Sequence, residues 1–170
     1  MRCEYCGQEH NSQLMTQDTV DATIAYLKRS LANGNYSNLF VRWFGGEPLI
    51  AYDQILEISD RVSELCSKLG IPFESEMSSN GTLLTIERLV ELQNRANLRR
   101  LTITVDGNEE CHNSSRPLKN NGNSHKLIMN LLKSAYDSRE RSNRDSIYWP
   151  RPWGYLNKWR IKHKVQFHRN

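Results

Sequence analysis

The stretch LFVRWFGGEPL, residues 39–49, decides the fold. Its first part, residues 39–44, is short, apolar and β-rich, which predicts a buried strand. The strand runs directly into the tetrapeptide GGEP, residues 45–48. Paired glycines at a strand end let a ligand approach the backbone closely, and proline restricts the exit of the chain. An ordinary strand-to-helix turn explains the same residues, so the motif alone leaves both interpretations open.

The segments around this stretch alternate between helix and strand. Apolar spacing predicts helices over residues 18–31, 52–69 and 124–136, and a further helix that Thr85 caps; β-rich runs predict strands over residues 39–44, 73–77 and 101–105, with a polar loop over 108–123. Strict alternation implies parallel strands joined by crossover helices. All three strands end in polar turns that contain glycine, where a (β/α) barrel or a doubly wound sheet places its chemistry.

Composition excludes several classes of protein. The longest apolar runs are a few residues, far short of the roughly 20 that a membrane span needs. No basic segment followed by an apolar stretch marks a secretion signal. The four cysteines do not have the spacing of a small disulfide scaffold. We therefore expect a cytoplasmic chain with reduced thiols and no membrane association.

The charge is divided unevenly along the chain. Residues 1–134 contain 14 Lys and Arg against 16 Asp and Glu, whereas residues 135–170 contain 9 against 3. The body, residues 1–136, is expected to form the folded domain, and its charge gives no sign of nucleic-acid binding. Residues 137–170 form a basic, Trp-rich tail without a clean period, expected to be irregular or out of register. RNA binding by this tail, through stacking and charge, is a less favoured alternative.

The chain starts with a CxxC motif, Cys3-Glu4-Tyr5-Cys6. A tight turn can bring two such sulfurs to one metal or cluster. The motif alone fits half of a zinc site, a redox pair, two free thiols or part of an iron–sulfur site. No second CxxC exists, which disfavours a four-cysteine zinc site; His10 is a minor candidate for an additional ligand.

The order of four motifs resembles that of the radical SAM superfamily. CxYC is followed by strands that end in GGEP, in SNGT (residues 79–82) and in VDG (residues 105–107). The chain is similar in particular to the branch that modifies peptides and proteins, which includes sulfatase-maturing and SPASM-type enzymes. The resemblance covers roughly residues 1–134, and the segment with His112 and Arg116-Pro117 is similar to the loop after the fourth strand in that branch.

The resemblance implies an α/β fold, a partial (β/α) TIM-like barrel with about three parallel strands and four helices. It also implies truncation at both ends. The family motif is CxxxCxxC, and its first cysteine would precede Met1. We therefore expect a fragment or an interrupted reading frame.

The resemblance further implies the cofactors and the chemistry. In the family three cysteines hold a [4Fe–4S] cluster, whose open iron binds S-adenosylmethionine, and an external electron donor reduces it. Cleavage then gives a 5′-deoxyadenosyl radical that abstracts hydrogen from a substrate, here a peptide or protein. The matching residues are the metal ligands Cys3 and Cys6; Tyr5 near the adenine; Gly45, Gly46, Glu47 and Pro48 at the methionine amino group; and Asn80, Thr104 and Asp106 on strand ends facing the same cavity. An alternative is a non-catalytic remnant that at most binds a metal through Cys3 and Cys6.

Overall fold

The computed structural model describes residues 1, 3–7, 13–142 and 165–168. Its elements follow the order helix, strand, helix, strand, helix, strand, helix, helix, strand. Their bounds are α1 Gln17–Asn33, β1 Leu39–Trp43, a 3-10 turn Pro48–Ala51, α2 Tyr52–Leu69, β2 Phe73–Ser79, α3 Ile86–Arg95, β3 Leu98–Ile103, α4 Glu109–Ser115, α5 Ser124–Ser142 and β4 Val165–His168.

The strands form one sheet in the order β1-β2-β3-β4. β1 pairs with β2 and β2 with β3 in parallel, and β4 is antiparallel to β3. The predicted parallel α/β arrangement with three parallel strands is confirmed. Parallel pairing puts the carboxyl ends of β1, β2 and β3 at one edge of the sheet, where the three polar turns begin.

Local signals account for several element ends. The side chain of Thr85 accepts a hydrogen bond from Arg88 N, as the predicted cap of α3 requires. Gly70 ends α2 in the left-handed region, at φ +68°, and its N–H donates to the carbonyls of Cys66 and Ser67.

The sequence analysis missed α4, which lies inside the segment predicted to be a polar loop. Asn108 caps it by accepting a hydrogen bond from Cys111 N, at 2.9 Å. The helix has seven residues and no apolar stripe, so hydrophobic periodicity could not reveal it. The described residues therefore contain five α-helices rather than the four expected. The antiparallel strand β4, also not predicted, lies in the basic tail, most of which is outside the described residues.

The helices cover one face of the sheet. Met77, Leu101 and Ile103 point to that face and pack with Leu92 and Ile128, all buried. A second cluster joins α1 to α2, and it includes Cys66, which is 2% exposed.

The opposite face of the sheet carries charged and aromatic side chains. Arg42, Glu76 and Arg100 lie in register across β1, β2 and β3, and both arginines pair with the Glu76 carboxylate. Phe40 on the same face is 47% exposed. In a closed barrel this face is the interior. Among the described residues, no helix is long and apolar enough to cross a membrane.

Replacement of Gly70 tests the helix end. A Cβ at Gly70 would meet no atom within 4 Å, so the cost of Gly70→Ala is conformational. We expect the free energy of unfolding to fall by about 1 kcal/mol, measured by urea denaturation. Gly70→Asn should cost less, because asparagine tolerates the left-handed region. Equal stability of Gly70→Ala and the unmodified chain would contradict this account.

Candidate functional site

The two glycines that follow β1 leave their backbone peptide groups uncovered by side chains. Gly45 has φ +152°, in a region that favours glycine, and no atom lies within 4 Å of a Cβ built on Gly45 or on Gly46. Both residues are exposed. A polar ligand could therefore approach their peptide groups without meeting a side chain.

Glu47 joins the end of β1 to the end of β2. Its Oε1 accepts hydrogen bonds from Ser79 Oγ at 2.8 Å and Leu49 N at 3.1 Å, and its Oε2 accepts one from Asn80 N at 2.7 Å. Burial raises the pKa of Glu47, although these three donors oppose the rise. Glu47 thus makes three hydrogen bonds within the protein, whereas the family resemblance predicted only a position at the cofactor.

The turn after β2 is organised by two side chains that bond to nearby backbone. Asn80 Oδ1 accepts from Thr82 N at 2.9 Å and Thr82 Oγ1 at 2.6 Å, and Ser79 Oγ accepts from Gly81 N at 2.9 Å. Gly81 has φ +78°, and a Cβ there would lie 3.1 Å from Ile103 Cγ2. The SNGT segment is therefore a close-packed turn that holds Asn80 at the strand edge.

Asp106, beyond the end of β3, collects three donors on one oxygen. Its Oδ2 accepts from Tyr5 Oη at 2.6 Å, Arg116 Nε at 2.7 Å and Ser115 Oγ at 3.2 Å. Burial by itself would raise the pKa of Asp106, but the bonds from Tyr5 and Arg116 outweigh it and hold that pKa below its usual value. Asp106 consequently links the cysteine motif to the segment that follows β3.

The cysteine motif forms a turn closed by a bond from Cys6 N to Cys3 O, at 3.1 Å. Both thiols are half-buried. Arg116 Nη1 lies 3.8 Å from Cys3 Sγ. Burial raises the pKa of the Cys3 thiol, and the positive charge of Arg116 offsets part of the rise.

The donor set fits part of a metal centre. Cysteine sulfur suits iron–sulfur clusters and zinc, and the turn presents two such donors. Among the described residues, however, no three His, Cys, Asp or Glu side chains are grouped so as to hold a metal ion. His10 lies outside those residues. The described chain therefore supplies Cys3 and Cys6 but does not complete a three-thiolate site.

The structure brings the predicted site residues together in two groups. Glu47 and Asn80 meet between β1 and β2, while Tyr5 and Asp106 meet beyond β3. Thr104 is half-buried, just beyond the end of β3.

Three residues of these groups were not assigned to the site from the sequence. Ser79 binds Glu47, and Ser115 and Arg116 bind Asp106. The family resemblance had already pointed to Arg116. Its ion pair with Asp106 depends on α4, a helix that hydrophobic periodicity did not predict. His112 is also buried in this region, where its Nδ1 accepts a hydrogen bond from Asp106 N at 3.1 Å.

One protein family and several solved structures match this chain. The family model described as "Radical SAM superfamily" matches residues 1–143. No curated protein matches the chain. Among solved structures, the chain is similar to anSMEcpe, a SPASM-type sulfatase-maturating enzyme, with bound AdoMet: TM-score 0.61, 21% identity, 77% of this chain covered.

A second structure of the same protein gives a similar match. The chain is similar to anSMEcpe with bound AdoMet and the Kp18Cys peptide, with TM-score 0.63, 20% identity and 82% of this chain covered. The match spans 35% and 37% of those two longer chains. At these identities the likeness shows the fold, a partial radical SAM TIM-like arrangement.

Glu47→Gln should destabilise the site. The variant replaces one acceptor oxygen with an amide NH₂, which must then face one of three donors, so we expect the free energy of unfolding to fall by about 2 kcal/mol in urea denaturation. The control is Glu64→Gln, whose carboxylate makes an exposed pair with Lys68 at 2.6 Å and should matter little. Equal effects of the two variants would refute the bridging role of Glu47.

The depressed pKa of Asp106 predicts a pH-dependent contribution to stability. A carboxyl group whose pKa is lower in the folded chain contributes fully above its usual pKa of 3.8, and the contribution disappears as the pH falls through the folded-state value. The stability difference between the unmodified chain and Asp106→Asn should therefore be constant near neutral pH and shrink below pH 3.8. Urea denaturation at a series of pH values measures it. A difference independent of pH would contradict the assignment.

Proposed function

The chain belongs to the radical SAM superfamily, and from this premise we propose that it is part of an enzyme core that binds S-adenosylmethionine and a [4Fe–4S] cluster. The observation that carries the proposal is the contact of the cysteine turn with the segment that follows the carboxyl end of β3, through Tyr5 and Asp106. In this proposal the substrate is a peptide or protein, and the electron comes from an external donor.

Each strand end has a part in binding the cofactor. The uncovered peptide groups of Gly45 and Gly46 suit the methionine amino group, since backbone carbonyls accept hydrogen bonds without adding a charge. Glu47 and Pro48 hold this turn in place, and Asn80 and Thr104 line the same edge. When bound, the cluster and S-adenosylmethionine supply reductive cleavage and hydrogen abstraction, which protein side chains cannot perform.

The peptide substrate is supported by the neighbouring structures alone. Two of them are anSMEcpe with bound AdoMet and a peptide, Kp18Cys in one and Cp18Cys in the other. This chain spans 37% of the first of those chains, so substrate and reaction outcome are part of the proposal and not of the fold comparison. A cytoplasmic location likewise stays a prediction.

A second candidate is a non-catalytic chain that binds one metal ion through Cys3 and Cys6. The observation in its favour is the absence of a third grouped ligand among the described residues. RNA binding by residues 137–170 stays a prediction, because most of that segment lies outside the described residues.

Anaerobic reconstitution with iron and sulfide tests the proposal against the second candidate. We expect the purified chain to gain broad visible absorbance and to cleave S-adenosylmethionine when reduced. Cys3→Ser should bind at least about tenfold less iron than the unmodified chain, because it lacks a ligand. Cys111→Ser lacks an exposed thiol outside the CxxC motif and should bind as much iron as the unmodified chain. A colourless chain that binds a single zinc would overturn the enzyme proposal in favour of the second candidate.

A further inference from the structure

One segment of the chain holds the cysteine turn. Glu4 N donates to Ser115 O at 3.1 Å, and Tyr5 Oη donates to Asp106 at 2.6 Å. Arg116 Nη1 reaches Cys3 Sγ at 3.8 Å. All three contacts go to residues 106–116, more than a hundred positions along the chain, so tertiary structure fixes where the turn lies, in addition to the local bond from Cys6 N to Cys3 O that closes it.

Arg116 is the centre of this attachment. Its guanidinium group pairs with Asp106 through Nε at 2.7 Å, stacks over the Tyr5 ring at 5.2 Å from the ring centroid, and contacts the Cys3 sulfur. The residue is only 9% exposed, and a buried guanidinium in one fixed orientation offers its donors in a planar fork. Two features of the cysteine turn, the Tyr5 ring and the Cys3 sulfur, therefore contact one rigid group, which also pairs with Asp106.

The base of Arg116 is itself anchored. Its backbone carbonyl accepts from the buried Ser124 Oγ at 3.0 Å, and its backbone N donates to His112 O at 2.8 Å. His112 in turn receives the Asp106 backbone N–H on Nδ1. Both ends of the Asp106–Arg116 pair are thus held by contacts that do not involve the cysteine turn.

We propose that Asp106 and Arg116 are positioning residues, which dock the Cys3–Cys6 turn through Tyr5 and hold its sulfurs at the carboxyl edge of the sheet. The inference rests on the proposed function only in treating that turn as the metal-binding element. It assigns the Tyr5 hydroxyl and the Asp106 carboxylate to each other, whereas the motif comparison assigns both to the cofactor.

The chain contains a matched control for this attachment. Tyr52 Oη donates to Glu91 at 2.6 Å, and Arg88 stacks over the Tyr52 ring at 4.7 Å. The two tyrosines thus make the same set of contacts, with a carboxylate and an arginine, at different places in the fold. Removing either hydroxyl removes one hydrogen bond to a carboxylate, but only Tyr5 belongs to the cysteine turn.

The experiment measures cysteine alkylation in the metal-free full chain. Iodoacetamide modification is followed at each cysteine by peptide mass spectrometry, with the exposed Cys111 as the internal reference. In Tyr5→Phe, loss of the docking bond should raise the rate at Cys3 relative to Cys111 by about threefold to tenfold. Tyr52→Phe should leave that ratio unchanged. An unchanged ratio in Tyr5→Phe, or the same increase in both variants, would overturn the proposal.

A second measurement separates this proposal from the proposed function. Co²⁺ titration of the same variants, followed by thiolate-to-metal absorbance, should show weaker binding in Tyr5→Phe than in Tyr52→Phe. Failure of the cluster to form in the unmodified chain would count against the enzyme, while a raised Cys3 ratio would still support docking. Equal Co²⁺ affinity in both tyrosine variants would show that docking does not position the sulfurs.

Discussion

The carboxylate of Glu47 is the constraint on which the site depends. Parallel strands are paired along their length, but nothing in that pairing fixes the turns that leave their ends. By accepting donors from Leu49, Ser79 and Asn80, Glu47 joins two of these turns into one surface. The glycines before it can then remain bare, because the rigidity of the turn comes from the glutamate and not from their own side chains.

Asp106 repeats this arrangement at the end of β3. There too a carboxylate collects several donors, and burial and hydrogen bonding act on its pKa in opposite directions. The net effect differs, because burial leaves the pKa of Glu47 raised, whereas the hydrogen bonds from Tyr5 and Arg116 leave that of Asp106 lowered. Two acidic residues therefore organise one edge of the sheet, and each carboxylate accepts three hydrogen bonds.

The two carboxylates also divide the predicted site into two functional parts. The group around Glu47 offers exposed backbone, which suits a small polar ligand. The group around Asp106 offers a docking surface for a turn with two thiols. The radical SAM fold brings both parts to the same edge, and the chain spans 35% of the anSMEcpe chain that it matches. The other face of the sheet carries the ion pairs of Arg42 and Arg100 with Glu76.

The sequence by itself determined the elements and their alternation, because apolar spacing, the Thr85 cap and the Gly70 turn are local signals that act within a few residues. It also determined the family, since four short motifs stand in a characteristic order. Only the tertiary structure decided which side chains form hydrogen bonds and ion pairs with each other. The partnership of Tyr5 with Asp106 and Arg116 joins residues about a hundred positions apart, and α4, which supplies part of it, is a short polar helix held by a side-chain cap. Such contacts depend on the packing of distant segments, and no period or spacing along the chain records them.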